Sequence, residues 1–234
     1  MFTKKNCRTP FILTSFFFRS FSIASSQKST PDKIQLLVAV VRYRSSLVDP
    51  RLGLCSNYLA NASIGTEIPI WVKKGTLKFP NEPTLPYILV GPGTGVAPFR
   101  SLILNELTSG SKRPIYLIFG CRSRLSDYYF QSEWEKLRQD FPNFKVLTAF
   151  SRDQEDKYYV QHVIQDNKQL FGNLLVNEDA FIYIAGNSKN MPDQVQDAFK
   201  EAILTQDDEG DEKEAKKFIE QLINDKRLQM ETWS

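Results

Sequence analysis

From residue 85 onward, short apolar runs alternate with segments whose apolar residues recur every three or four positions. The runs YILVG (87–91), IYLIFG (115–120), FKVLTAF (144–150) and FIYIAG (181–186) are rich in β-branched and aromatic residues, the composition of strands. Each is followed by helical spacing: APFRSLILNEL, FQSEWEKLRQ, VQHVIQDN and MPDQVQDAFKEAIL. Strand then helix, repeated, predicts a parallel sheet covered on both faces. A last helix is expected around AKKFIEQLIN (215–224), after the acidic run DDEGDEKE, which reads as a solvated connector.

The residues before 85 have a different pattern. IQLLVAVVRYR (34–44) and IPIWVKKGTLKF (68–79) read as long strands, and only GLCSNYLANA (53–62) has convincing helical character. This suggests part of an antiparallel β domain, short for a complete barrel, which needs strands on every side to remove its edges.

Composition narrows the function. The 234 residues, 41% hydrophobic, can bury a core as one large domain or two small ones. A net charge of +3 is too balanced to suggest a nucleic-acid partner, and no segment is apolar enough for a membrane helix. Cys7, Cys55 and Cys121 fit neither a zinc pattern nor a disulfide framework. His162 is the single histidine, and nothing around it supplies the other parts of a Ser-His-Asp site. The first 26 residues carry four basic and no acidic side chains and many serines, a composition shared with mitochondrial transit peptides.

The chemistry concentrates in two loops. GPGTGVAP (91–98) places Gly91, Gly93 and Gly95 between an apolar run and a helix. It lacks the Gly-Lys-Ser/Thr of a Walker loop and the third Rossmann glycine, where Val96 stands. Backbone N–H groups and a helix N-terminus still face one spot, which suits an anion, and Pro98 suits a first helical turn; a tight turn without ligand is the alternative. After the third run, FSRDQEDKYYVQ sets Ser151, Arg152 and Lys157 in a loop where parallel sheets bind ligands. These donors suit a dianionic phosphate, and Tyr159 offers a face for a base. Asp153 could instead hold a ribose diol.

Taken together, GPGTGVAPFR, FGCR, SRDQEDKYYVQ, NMP and the terminal WS occur in the order found in the ferredoxin-NADP reductase superfamily. The resemblance is to its diflavin reductases related to cytochrome P450 reductase, and it covers residues 19–234. It implies a parallel five-stranded NADP-binding sheet with helices on both faces (residues 85–234). It also implies an incomplete antiparallel β-barrel of the FAD-binding type (residues 19–84). RSFSIASS resembles the family's flavin motif, so Arg19 and its neighbour Ser20 would approach the FAD pyrophosphate, Phe21 the ring or ribityl chain, and Ser22 the flavin N5 region. GLCS (Gly53, Leu54, Cys55, Ser56) resembles the second flavin motif and would offer backbone N–H groups to the same pyrophosphate. Thr94 would meet the NADPH pyrophosphate, while Ser151, Arg152, Lys157, Tyr159 and Gln161 would hold the 2'-phosphate and adenosine. Trp233 would cover the flavin ring, and with Ser22 and Glu231 form the catalytic set.

Some residues depart from the family pattern. Ala185-Gly186 replaces a Cys-Gly pair, Glu231 replaces an Asp, and Asp193 lies one place from a ligand-contacting Asp. Residues 1–18 do not resemble the family, so the chain reads as a C-terminal fragment or alternative-start product. The resemblance implies hydride transfer from NADPH to FAD in the cytoplasm and, through FMN in a full-length relative, electron delivery to an iron-sulfur protein of cytosolic cluster assembly. It implies no metal, nucleic-acid or membrane partner. Two alternatives are a nucleotide-binding module without catalysis and a single-flavin mitochondrial reductase.

Overall fold

The structure is a computed structural model that describes residues 19–43, 50–80, 82–207 and 210–233. Residues 1–18, on which the targeting and alternative-start readings fall, lie outside the described residues, as does Cys7. The first described elements are the strands β1 (Arg42–Tyr43) and β2 (Arg51–Leu52), paired antiparallel, and helix α1 (Leu54–Asn61). A strand-helix series then runs through β3 (Tyr87–Val90), a 3-10 turn (Gly93–Gly95), α2 (Val96–Thr108), β4 (Ile115–Cys121), α3 (Arg124–Asp127), α4 (Gln131–Asp140) and β5 (Phe144–Phe150). It continues through α5 (Val160–Asp166), α6 (Lys168–Val176), β6 (Phe181–Asn187), α7 (Met191–Leu204), α8 (Glu212–Asn224) and β7 (Leu228–Trp233).

The five later strands form one parallel sheet in the order β5-β4-β3-β6-β7. The strand that comes first in sequence lies in the middle, so the order reverses between β3 and β6. At such a reversal the connections leave in opposite directions and open a crevice at the carboxyl ends. All four residues of β3 are buried, as expected of a strand covered on both faces. Ile88 and Val90 enter one core with Phe171, Phe199 and Ile219; Tyr87 and Leu89 enter the other with Phe99, Leu117 and Trp134. That division follows from the two-residue period of a strand.

Local chemistry sets the helix ends. Pro98 lies in the first turn of α2 and Pro192 in that of α7, where a missing N–H costs nothing. Asp211 caps α8 by accepting the Lys213 N–H at 2.9 Å, with Glu212 and Glu214 in the first turn favoured by the helix dipole. Two elements went unplaced by the pattern. Helix α6 follows α5 almost without a break, and β7 is the fifth strand, carrying Glu231 and Trp233.

The long strands expected before residue 85 do not form. Residues 68–79 hold no strand, and the run from Ile34 contributes only β1 and an isolated bridge between Ile23 and Leu36. A strand is stable only beside a partner, and parts of these runs stay in solvent: Ile70 and Val72 are 66% and 65% exposed. The segment is nonetheless tied to the sheet. The Gln229 side-chain amide accepts from Lys78 N–H and donates to Lys78 C=O, both at 2.7 Å. Tyr183 donates its hydroxyl to the same carbonyl at 2.9 Å, and Phe79 packs 4.8 Å from the Tyr183 ring. Buried Arg113 donates to the carbonyls of Leu85 and Glu82 and lies 3.8 Å over the Tyr87 ring, fixing the entry to β3.

Among the described residues no helix is long and apolar enough to cross a membrane, and no group of His, Cys, Asp and Glu is arranged to hold a metal ion.

Candidate nucleotide and flavin site

The carboxyl ends of the five strands deliver the predicted residues to one rim of the sheet. The Gly91, Gly93, Gly95 loop leaves β3, Cys121 ends β4, Ser151 follows β5, Asn187 ends β6 and Trp233 ends β7. The glycine loop sits at the strand-order reversal. Gly93 has φ +57°, and Gly95 touches β6 so closely that a Cβ there would stand 2.0 Å from the Ala185 carbonyl oxygen. Side chains are therefore excluded where the loop meets the crevice. Thr94, between them, is half-buried in the 3-10 turn.

The phosphate loop is held by its backbone, leaving its cations available. Ser151 N–H donates to Cys121 C=O at 2.9 Å and Arg152 N–H to Arg122 C=O at 2.8 Å, which extends the β4–β5 ladder into the loop. Arg152 and Lys157 are exposed, and neither forms an ion pair among the described residues. Asp153 is otherwise engaged: its Oδ2 accepts the Arg124 N–H at 2.9 Å. That bond, with the Ser123 side chain, holds its carboxyl below the usual range. The ribose role considered for Asp153 thus competes with an existing turn.

Tyr159 precedes α5 with its ring 42% exposed. His162 Nδ1 accepts the Tyr159 N–H at 3.0 Å, and the two rings lie 6.0 Å apart. Gln161 Nε2 donates to Gln194 Oε1 at 3.3 Å, joining the starts of α5 and α7, where Asp193 is exposed in the first turn. His162 has a local signal that was missed, since three residues separate it from the residue ahead of the helix, the spacing of a reciprocal cap.

Trp233, 37% exposed, is paired with Asn187, and its carbonyl accepts the Ser188 N–H at 2.9 Å. Glu231 lies opposite Ala185 and accepts from Thr76 Oγ1 at 3.1 Å. Glu231 also lines a cavity of about 310 Å³ with Ile23, Leu77, Phe79 and Pro98. This cavity brings together the residue following Ser22, the helix following the glycine loop, and the strand carrying Trp233. Burial, with Asp127 and Asp153 nearby, pushes the Cys121 thiol up to about 12, so it is no nucleophile at neutral pH.

The two flavin motifs hang on one segment. Arg19 and Ser20 are exposed, Phe21 and Ser22 half-buried, and the bridge from Ile23 to Leu36 anchors them. Five residues on, Val41 accepts the Gly53 N–H at 2.9 Å and donates its own N–H to Ser56 Oγ at 3.1 Å. The Ser56 hydroxyl is thereby committed to the protein. The first-turn amides of α1 around Leu54 and Cys55 have no intrahelical acceptor, as at any helix start, and the Leu54 side chain is 92% exposed.

Residues 89–197 match the model of the oxidoreductase NAD-binding domain. The chain is 48% identical over 219 residues to an NADPH-dependent diflavin oxidoreductase 1 of Danio rerio, and 48% identical over 219 residues to that of Xenopus laevis. It is 42% identical over 220 residues to that of Mus musculus. Each match covers 92% of this chain and 36% of the relative, so the chain spans about a third of the length of these relatives. Through that third, the chain is similar to the NADPH-dependent diflavin oxidoreductases, and its residues 89–197 match the oxidoreductase NAD-binding domain.

Proposed function

We propose that this chain is the NADPH- and FAD-handling part of a diflavin oxidoreductase. The observation that carries the reading is the pair of exposed cations, Arg152 and Lys157, beside Ser151 at the carboxyl end of β5. A 2'-phosphate is the group such a donor set fits, and an unphosphorylated ribose has no use for it. Tyr159 gives the adenine a flat face, and Gln161 a polar edge. Thr94 and the amides of the glycine loop, at the start of α2, receive the pyrophosphate.

When bound, NADPH supplies a hydride that FAD accepts for onward transfer, in a full-length relative through FMN. The chain's own residues orient that exchange. Arg19 and the start of α1 would neutralise the flavin pyrophosphate, Phe21 would pack the flavin, and Trp233 would cover its ring. Ser22 and Glu231 flank the reacting atoms, with Thr76 fixing the Glu231 carboxylate. Ala185 offers no thiol, so proton handling there rests on Glu231 and Ser22. The acceptor proposed is an iron-sulfur protein of cytosolic cluster assembly, which places the work in the cytoplasm.

One observation favours the rival reading of a nucleotide-binding module without catalysis. Among the described residues between Ile34 and Val72, only the short strands β1 and β2 form, too little to enclose a flavin. Reconstitution decides between them: a flavin that NADPH bleaches in protein given excess FAD supports the enzyme, and 2',5'-ADP binding with no flavin reduction at any FAD concentration supports the module.

A further inference from the structure

We infer that Arg100 is a positioning residue that fixes the flavin-motif segment to the nucleotide-binding half of the molecule. It lies on α2, five residues beyond Gly95, and is only 7% exposed. Its guanidinium grips three separate parts of the chain. Nε and Nη2 donate to both oxygens of Glu133 at 2.5 and 2.8 Å. Nη1 donates to the Ala24 carbonyl at 2.6 Å and to Gln35 Oε1 at 2.8 Å. These partners are 33, 76 and 65 residues away in sequence.

What it grips gives the contact its meaning. Ala24 stands two residues after Ser22, and its N–H donates to Gln35 C=O at 2.8 Å. Ser25 and Ser26 are buried beside it, and Ser101, the next residue on α2, donates its hydroxyl to Ser25 C=O at 2.6 Å. The segment that carries Ser22 is therefore registered against the helix that begins at the glycine loop. The other side of the brace is built as firmly. Glu133 lies in the first turn of α4, where a carboxylate is favoured. Phe130, which precedes that helix at φ +62°, a conformation uncommon outside glycine, places its ring 4.5 Å under the guanidinium.

A buried charge is costly unless every partner is in place, so the arrangement has one geometry rather than a range. The flat fork matters, because an ammonium cannot hold a carboxylate with two bonds while reaching two further acceptors. Resting on the proposed reading, the consequence is that Arg100 sets how closely the flavin and the nicotinamide approach, without touching either. Hydride transfer depends steeply on that separation.

Arg100→Lys and Glu133→Gln test this in the 234-residue chain by hydrogen exchange, which needs no cofactor. Both variants should speed exchange in peptides covering residues 23–36 by about tenfold or more, with β3, β4 and β6 unchanged. The dissociation constant for 2',5'-ADP should stay within about twofold of the parent, while in FAD-loaded protein the rate of flavin reduction by NADPH falls. Unchanged exchange in residues 23–36, or equal loosening of the whole sheet, would overturn the brace. Absence of 2',5'-ADP binding to the parent chain would instead overturn the nucleotide reading, with the exchange result still deciding the brace.

Discussion

Two regions of this molecule share a rich supply of apolar residues and use them differently. The four apolar residues of β3 are buried to 0–1% exposure, because the strand is covered on both faces. Between Ile34 and Val72, some described residues just as apolar stay in solvent: Val40 is 45% exposed and Ile70 66%. A strand-helix repeat carries its cover with it, since each helix folds back on the strand beside it. An antiparallel segment depends on strands that come from elsewhere in the sequence. Nucleotide and flavin sites therefore differ in how far this chain alone can hold their walls.

The largest effect that sharpens the contrast is on stability. Phe99→Ala, removing a fully buried ring, should cost about 3–5 kcal/mol. Ile70→Ala, at 66% exposure, should stay within about 0.5 kcal/mol. Urea unfolding of both variants measures the difference, and similar losses would mean that residues 68–79 are packed after all.

Next comes the nucleotide. Arg152→Ala removes a charge-assisted bond of roughly 1.5–3 kcal/mol. It should weaken NADPH binding about tenfold or more and leave NADH nearly unchanged. Equal losses for both nucleotides would remove this loop from the 2'-phosphate.

Trp233→Ala should have a smaller effect in flavin-replete protein, lowering the KM for NADH. The displaced stacking is worth roughly 0.5–1.5 kcal/mol beyond area burial. Unchanged NADH kinetics would refute the ring-covering role.

The smallest effect concerns Cys121. Burial, with Asp127 and Asp153 nearby, holds its folded thiol up at about 12, above the ordinary 9.0. Between those values the unfolded chain has released a proton that the folded chain retains, so stability from this group is complete below pH 9 and lost as pH rises toward 12. Iodoacetamide followed by peptide mass analysis should leave Cys121 unmodified at pH 8 in native protein and label it in urea.

Much of the parallel sheet was legible because its signals are local. The strand runs at 87–91, 115–120, 144–150 and 181–186, and the helices after them, each announce themselves within about ten residues. β7 escaped because LQMETW alternates weakly, and its parallel place beside β6 is settled only by tertiary contacts. The long strands at 34–44 and 68–79 were overread for the converse reason: pattern tells which face a strand would bury, not whether a neighbour exists. The loop after β5 drew notice through its residue types, yet Asp153 looked as usable as Arg152 until its bond to the Arg124 N–H was visible. Arg100 ends the GPGTGVAPFR motif, yet its role was not legible there, since it reads as one more polar position on a helix and its partners are scattered along the chain.

The central claim is that the nucleotide site is built and the flavin site is not yet enclosed in this chain. Titration of the purified 234-residue protein with NADPH and, separately, with FAD tests it most directly. The account predicts saturable one-to-one NADPH binding that Arg152→Ala weakens about tenfold, and weak, substoichiometric FAD binding, because ordering unpaired strands costs about 1–2 kcal/mol per residue. A protein that purifies with a full complement of FAD, or one that binds no NADPH, would contradict it.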